Sequence, residues 1–143
     1  MENFTIVDFD EVSDSNINRQ IIALNSTVGQ KKAELFKQRL LDINPNIKVN
    51  SICDFYNESL KEKIFATKPD YVIDAIDTMR SKIDLLVYCK ENNIPVITSM
   101  GAGNRLDPTK LYITDIKDIE NKKCTFTKNV LYQLKKRGID SGI

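Results

Sequence analysis

The stretch DYVIDAIDTMRSKIDLLVYCKENNIPVITSM, residues 70–100, carries the pattern that decides the fold. Residues 70–77 form a short apolar run, which is typical of a strand buried on both faces of a sheet. Residues 78–93 repeat apolar side chains at helical spacing, and residues 94–100 form a second short apolar run. A strand, a helix and a second strand in this order predict a parallel βαβ unit.

The same alternation of strands and helices runs through the rest of the chain. We predict strands at 4–9 and 46–52, a weaker strand at 111–116, and helices at 26–43, 58–67 and 127–138. Thr27 and Gln30 have the spacing of a capping box for the first of these helices, and Gly138 suits the C-cap of the last. The pattern predicts an α/β fold with a mostly parallel sheet, in a single domain over residues 1–143.

Composition excludes several classes of function. The chain has 143 residues, a net charge of +1 and no histidine, so histidine-based acid–base or nucleophilic catalysis is excluded within it. Its three cysteines are widely spaced and include no C-x-x-C pair, which argues against a structural zinc site and fits free thiols in the cytoplasm. No apolar run reaches the length of a membrane span, and we expect no signal peptide and no membrane partner.

Acidic and small polar residues follow three of the predicted strands. Asp8 and Asp10 follow the first, Asp74 and Asp77 the third, and Ser99 begins the turn after the fourth. Ligands of parallel α/β folds bind beyond the carboxyl ends of the strands, so we expect these groups at one edge of the sheet. From the residues alone, Asp8 and Asp10 are equally well explained as ligands of ribose hydroxyls and as ordinary turn residues.

Three further residues have the chemistry of a phosphate site. Asn16 and Arg19 lie three residues apart, so one helical turn would place them together, where Arg19 could hold a phosphate through two hydrogen bonds. Lys32 lies near the start of a predicted helix, where the helix dipole also favours anions. The alternative for all three is an exposed surface position, and without context it is the more common one.

Asp77 and the tract ITSMGAGNRLDPTK, residues 97–110, are candidates for a metal site and a ligand-binding turn. Asp77 could hold Mg²⁺ that is bound to phosphates, or it could be the N-cap of the next helix. Gly101 and Gly103 would permit positive φ or close approach of a ligand, with Arg105 beside them. The G-x-G spacing lacks a third glycine, so the dinucleotide fingerprint is not met and a structural turn is the alternative.

Basic residues concentrate near the C-terminus of the chain. They could contact RNA phosphates, although an exposed, solvated helix face is the more common explanation and the one we favour at this point. The cluster consists of Lys122, Lys123, Lys128, Lys135, Lys136 and Arg137.

Taken in order, five segments resemble the ThiF/MoeB-like adenylating enzymes, the superfamily of the ubiquitin-activating enzymes. They are VDFDEVSDSNINRQ, STVGQKKAE, DINPNIKV, DYVIDAIDT and SMGAGNRLDPTK, and the resemblance covers residues 4–139. The last segment, with LKKRGI later, is most similar to one branch, the bacterial tRNA threonylcarbamoyladenosine dehydratases. Any one of these segments would be weak evidence for the family, but the five segments in this order are specific to it.

The resemblance implies an enzyme that uses ATP and Mg²⁺ to activate a carboxylate as an acyl-adenylate. In this branch the carboxylate is that of threonylcarbamoyladenosine at position 37 of tRNA, which cyclises with loss of water. By similarity, Asp8 binds the ribose, Asn16, Arg19 and Lys32 hold the triphosphate, and Asp77 is the magnesium-associated aspartate. Arg19, Lys32 and Asp77 are thereby the catalytic residues. The resemblance further implies a cytoplasmic homodimer without zinc.

Three departures from the family pattern leave alternatives open. Lys31 stands where the family usually has proline, and the residues after Cys124 differ, so a nucleophilic or sulfur-relay role for that cysteine is only a guess. The implied fold is Rossmann-like with helices on both faces, but its first strand, glycine-rich loop and first helix would precede Phe4. We therefore expect a chain truncated at its N-terminus and, after LKKRGI, at its C-terminus.

Two other functions remain candidates at this point. The chain could adenylate the C-terminus of a ubiquitin-like sulfur-carrier protein, as other branches of the superfamily do. It could also be a non-catalytic remnant that serves as an interaction module, or one that needs a partner chain to supply the glycine-rich loop.

Overall fold

A computed structural model describes residues 2–103, 106–119 and 124–143. The chain divides into two compact units, Met1–Ala66 and Thr67–Ile143, each of which contains a parallel βαβ arrangement. The α/β class and the parallel strand pairing predicted from the sequence are thus confirmed. The prediction of a single domain stays a prediction.

The first unit contains a two-stranded parallel sheet and two helices. Strand β1, Asn3–Val7, pairs with strand β2, Lys48–Ile52, in a register that runs from Asn3 opposite Lys48 to Val7 opposite Ile52. Parallel neighbours need a long crossover, and helix α1, Lys32–Ile43, supplies it. Helix α2, Glu58–Phe65, follows β2 and is capped by the Asn57 side chain, which accepts from the Leu60 amide.

The segment between β1 and α1 differs from the prediction. Residues 26–31 are not part of a helix, since α1 begins at Lys32, and Asn25–Thr27 form a short 3₁₀ turn. Thr27 does not cap α1 either, because its hydroxyl donates to the Ile22 carbonyl and accepts from the Leu24 amide. The segment has a small core of its own, formed by Val12, Ile22, Ala23 and Leu35. Local hydrogen bonds and this burial override the helical pattern.

The second unit repeats the strand–helix–strand arrangement. Strand β3, Val72–Asp74, pairs in parallel with strand β4, Val96–Thr98, and helix α3, Met79–Glu91, connects them. Helix α4, Thr125–Lys135, packs on α3. Short 3₁₀ turns occur at Pro108–Lys110 and Ile116–Asp118. The core of the unit consists of Ile83, Leu86, Ile116, Val130, Leu134 and Ile139.

The weaker strand predicted at 111–116 is wrong. Leu111, Tyr112 and Ile113 are exposed and lie outside any strand, so their alternation does not reflect a buried sheet face. Helix α4 begins and ends slightly earlier than predicted, and Gly138, with φ of +75°, lies in the left-handed turn that follows it. Along the described parts of the chain, no helix is long and apolar enough to cross a membrane.

Strands β1 and β3 belong to different two-stranded sheets. Each strand therefore has a ladder on one side, from β2 and β4 respectively.

Candidate functional site

Asp8 lies immediately after β1 and continues its ladder, because its amide donates to the Ile52 carbonyl at 3.1 Å. One carboxylate oxygen, Oδ1, accepts from the Asp10 amide at 2.9 Å. This hydrogen bond closes an Asx turn and directs the chain away from the strand. Asp8 therefore fulfils the turn role that its position permitted, and its role as a ribose ligand stays a prediction.

Asp10 and Lys32 form the central contact of the first unit. The Lys32 amide donates to the Asp10 carbonyl at 3.0 Å, and the Lys32 ammonium lies 2.7 Å from Asp10 Oδ2. The lysine side chain is only 10% exposed, whereas that of Asp10 is 46% exposed. Because Lys32 is the first residue of α1, this pair places a largely buried cation at the amino end of the helix.

A second ion pair runs beside the first. Glu11 and Lys31 form an antiparallel bridge, and their side chains lie 3.0 Å apart. The Val12 amide donates to the Gln30 carbonyl at 2.9 Å, and the Gly29 amide donates to the Val12 carbonyl at 2.8 Å. These contacts close the loop between Asp8 and Lys32 at its base, so that the position of Lys32 depends on residues more than twenty positions earlier.

Asn16 and Arg19 lie within this closed loop and within one turn of each other, since the Arg19 amide donates to the Asn16 carbonyl at 3.1 Å. Asn16 is 6% exposed, and its Oδ1 accepts from the Ser13 amide at 3.2 Å. Arg19 is exposed, and its Nη1 donates to the Ser15 carbonyl and to Asn18 Oδ1. The structure thus places both predicted phosphate ligands in the same segment as Asp8 and Lys32.

Asp77 belongs to the second unit and is exposed in the connection between β3 and α3. It is not the N-cap of α3, as one interpretation had it, because Thr78 occupies that position. Its Oδ1 accepts from the Thr78 hydroxyl at 3.4 Å. The described residues contain no group of three or more acidic, cysteine or histidine side chains around a cation position. A single exposed carboxylate suits Mg²⁺ whose other ligands are phosphate and water oxygens.

The second unit contains a buried charge cluster that sequence reasoning missed. The Lys82 ammonium lies 2.6 Å from Asp74 Oδ2 and also donates to Thr98 Oγ1 at 3.1 Å and to the Ser99 carbonyl at 3.0 Å. Both charged side chains are fully buried. Lys82 therefore joins α3 to the carboxyl ends of β3 and β4. Nothing local in the sequence marks it, since lysine on a helix is usually exposed.

Cys89 is buried in the same unit. Burial, with a smaller contribution from the charge of Asp74, raises the pKa of its thiol to about 11. A thiol with such a pKa stays protonated and unreactive at neutral pH. Cys53, in contrast, is exposed, and Cys124 is half-buried at the N-cap of α4.

Gly101 has a packing role. A side chain there would bring its Cβ to 3.0 Å from Cys124 Sγ and 3.5 Å from Phe126 Cβ, so the glycine permits close approach of the α4 start. At Gly103, no atom of the described residues outside its chain neighbours lies within 4 Å of the corresponding Cβ position. Neither glycine has positive φ, so the turn does not need them for that reason. Arg105, Lys122 and Lys123 lie outside the described residues.

The first unit therefore combines an acidic turn at the carboxyl end of a parallel strand with a cation at the start of the next helix. Ligands of parallel α/β folds bind beyond the carboxyl ends of the strands, so this edge of the first unit is a candidate ligand site that offers both an acid and a cation.

The chain belongs to the ThiF family, whose sequence profile matches residues 1–138. A tRNA threonylcarbamoyladenosine dehydratase of Bacillus subtilis is 45% identical over 138 residues, which cover 96% of this chain and 54% of that protein. The crystal structure of the Escherichia coli tRNA N6-threonylcarbamoyladenosine dehydratase in complex with ATP is 37% identical, with a TM-score of 0.86. The match covers 93% of this chain and 54% of that chain.

A more distant relative belongs to another branch of the family. The molybdopterin-synthase adenylyltransferase of E. coli is 31% identical over 105 residues, which cover 73% of this chain and 41% of that protein. The chain spans about half the length of the curated relatives that it matches.

Proposed function

We propose that this chain provides the ATP-binding part of an enzyme that cyclises threonylcarbamoyladenosine at position 37 of tRNA by dehydration. The observation that carries the proposal is the Asp10–Lys32 contact, which holds a cation at the amino end of α1 just beyond the acidic turn after β1. The similarity to dehydratases over nearly the whole chain supports this choice of substrate.

In the proposed site each side chain has a separate task. Asp8 accepts hydrogen bonds from the ribose hydroxyls through the carboxylate oxygen that the Asp10 amide does not use. Lys32 and Arg19 face the triphosphate and stabilise the charge that develops as pyrophosphate leaves. Asn16, held by the Ser13 amide, orients the phosphates from a buried position.

Asp77 would hold Mg²⁺, which supplies charge neutralisation at the phosphates when bound. The Asp77 carboxylate is exposed and, among the described residues, accepts a long hydrogen bond from Thr78, so it is accessible for such a contact.

The proposed reaction has two steps, and neither of them requires a histidine. A carboxylate oxygen of the threonylcarbamoyl group attacks the α-phosphorus of ATP, and the bond to pyrophosphate breaks. A heteroatom of the carbamoyl group then attacks the activated carbonyl carbon, an N–H proton of the same group is lost to solvent, and the bond to AMP breaks, so that AMP carries away the oxygen that the nucleoside loses. Positioned cations can assist both steps, and no acid–base residue of the histidine type is required.

Adenylation of a carrier protein is the second candidate, because the chain also resembles a molybdopterin-synthase adenylyltransferase. A ubiquitin-like sulfur carrier would then supply the carboxylate from its C-terminus, and the same ATP site would serve. The longer match to the dehydratases favours tRNA. We extend the proposal to a homodimeric, cytoplasmic enzyme, in line with a tRNA substrate.

A substrate comparison tests the proposal. The chain is incubated with ATP, Mg²⁺ and either tRNA that bears threonylcarbamoyladenosine or a carrier protein with a free C-terminus, and pyrophosphate release and product mass are measured. We expect the dehydrated nucleoside from tRNA, and much slower product formation in an Asp8→Ala variant. A folded chain that acts on neither substrate would contradict the proposal and favour an interaction module, and adenylation of the carrier alone would favour the second candidate.

A further inference from the structure

The exposed side of helix α4 is basic and carries an aromatic side chain. Its buried side consists of Thr127, Val130 and Leu134. At a helical period of 3.6 residues, Lys128, Tyr132, Lys135 and Lys136 fall on the opposite side, and all four are exposed. We call these four residues the α4 basic face. It extends over about 12 Å of helix at 1.5 Å per residue.

The charge of this face is a local concentration in a nearly neutral chain. Residues 125–138 contain four cations, the three lysines of the face and Arg137, and no acidic residue. The complete chain, in contrast, contains 21 basic and 20 acidic residues. An amphipathic helix needs polar residues on its exposed side, but it does not need all of its charges to have one sign.

The aromatic ring at the centre of the face is also exposed. Tyr132 is 57% exposed, and the Lys136 ammonium lies 5.2 Å from its ring centroid. A tyrosine flanked by lysines can stack on an unpaired base while the cations contact the neighbouring phosphates.

A groove between α3 and α4 adjoins the face and contains two further cations. It has a volume of about 470 Å³ and an apolar floor that includes Ile83 and Val87. Arg80 and Arg137 line it, together with Asp84 and Gln133. The Arg137 guanidinium is oriented by Gln133, since Nη1 donates to the Gln133 carbonyl at 2.8 Å and to its side-chain oxygen at 2.9 Å.

We propose that the α4 basic face is an RNA-binding surface that contacts the phosphates and one unpaired base of the tRNA substrate. The inference rests on the proposed function for the identity of the RNA. It replaces our initial preference for a solvated helix face, because the cations share one side of the helix with an exposed ring and have no acidic residue among them.

Fluorescence anisotropy with a labelled tRNA transcript tests the inference. The chain is titrated at several salt concentrations and compared with K135E/K136E and with the control R39E/K63E, which changes the net charge equally at exposed positions of α1 and α2. We expect the α4 variant to bind at least about tenfold more weakly at low salt. Its plot of log affinity against log salt should be less steep by about 2. The control should change both quantities much less.

Tyr132 provides a test that is independent of charge. Tyr132→Ala should weaken RNA binding by about fivefold or more, whereas Tyr132→Phe should retain it, because stacking needs the ring and not the hydroxyl. Circular dichroism of each variant checks that α4 remains folded.

ATP binding is measured on the same variants, so that failure of the inference can be distinguished from failure of the proposed function. If the chain binds ATP but the α4 variant binds RNA as tightly as the wild type does, the inference is overturned and the proposed nucleotide site is unaffected. Binding of an acidic carrier protein that depends on α4, without binding of tRNA, would overturn the inference as well. If the chain binds RNA through α4 but does not bind ATP, the RNA-binding surface is supported and the proposed enzymatic function is contradicted.

Discussion

Each unit of the chain contains an aspartate–lysine pair close to the carboxyl end of its first strand, but the two pairs differ in exposure. In the first unit, Asp10 and Lys32 lie 2.7 Å apart, and the aspartate is 46% exposed. In the second unit, Asp74 and Lys82 lie 2.6 Å apart, and both are fully buried. A ligand can compete for the first lysine from the solvent side of Asp10, whereas the second is enclosed by the β3 and β4 ends. Similar geometry therefore leaves the first pair accessible for the proposed binding role, whereas the second pair can contribute only to stability.

The largest effect is expected at the buried pair. Lys82→Met leaves the Asp74 carboxylate buried without its cation, and this should lower the free energy of unfolding by about 3–5 kcal/mol. Urea denaturation followed by circular dichroism measures the change. The double variant D74N/K82M should recover part of the loss, because it removes the stranded charge. A loss below about 1 kcal/mol in the single variant would show that the cluster does not hold the second unit together.

The Asp10–Lys32 pair, in which only the aspartate is exposed, should behave differently. Lys32→Met should lower the free energy of unfolding by only about 1 kcal/mol, because water can solvate Asp10 when its partner is removed. The same denaturation experiment compares it directly with Lys82→Met. Equal losses in the two variants would remove the distinction between a binding lysine and a structural one.

The loop that positions Lys32 can be tested at its glycine. Gly29 has φ of +83°, and its amide closes the loop onto Val12. Gly29→Ala should therefore lower stability by about 1 kcal/mol, since a side chain is strained in this conformation. Gly103→Ala in the second unit is the matched control. It should leave the free energy of unfolding nearly unchanged, because no atom of the described residues outside its chain neighbours lies within 4 Å of the added Cβ and the φ of Gly103 is not positive.

The smallest effect at neutral pH concerns Cys89, whose pKa is raised mainly by burial and to a lesser extent by the charge of Asp74. Its pKa of about 11 in the folded chain exceeds the ordinary value of 9.0, so the unfolded state loses the proton first. Stability should be independent of this group below pH 9 and should fall as pH rises from 9 towards 11. Cys89→Ala should remove this part of the slope.

Thiol labelling provides a second check on the same group. At pH 8 a thiol reagent should modify the exposed Cys53 quickly and Cys89 only after unfolding. Rapid labelling of Cys89 in the folded chain would contradict its assigned burial.

The sequence contained enough information for the strands but not for all of their connections. Strands β1 to β4 were predicted within a few residues, because short apolar or alternating runs leave a local signal. The expectation that residues 70–77 are buried on both faces was wrong, since Ile73 of β3 is 74% exposed. The start of α1 was misplaced because Thr27 bonds to residues before it, and the strand at 111–116 was wrong because its apolar residues are exposed.

Residues of the candidate site could be predicted only where their residue type and their position after a predicted strand indicated a role. Asp8, Asn16, Arg19 and Lys32 stood out by residue type and by resemblance, and the structure places them in one closed segment. The partner of Lys32 and the importance of Lys82 did not stand out. Both depend on contacts between distant positions, 22 residues apart for Lys32 and Asp10 and 16 for Lys82 and Thr98. No local period encodes such pairs.

Calorimetric titration with ATP and Mg²⁺ tests the central claim most directly. Lys31 and Lys32 are adjacent, and each forms an ion pair with one of the adjacent acids Glu11 and Asp10, so Lys31→Ala is the matched control for Lys32→Ala. We predict that the chain binds ATP, that Lys32→Ala weakens binding by at least about tenfold through loss of a charge-assisted phosphate contact, and that Lys31→Ala changes it little. Equal affinities in the two folded variants would contradict the account.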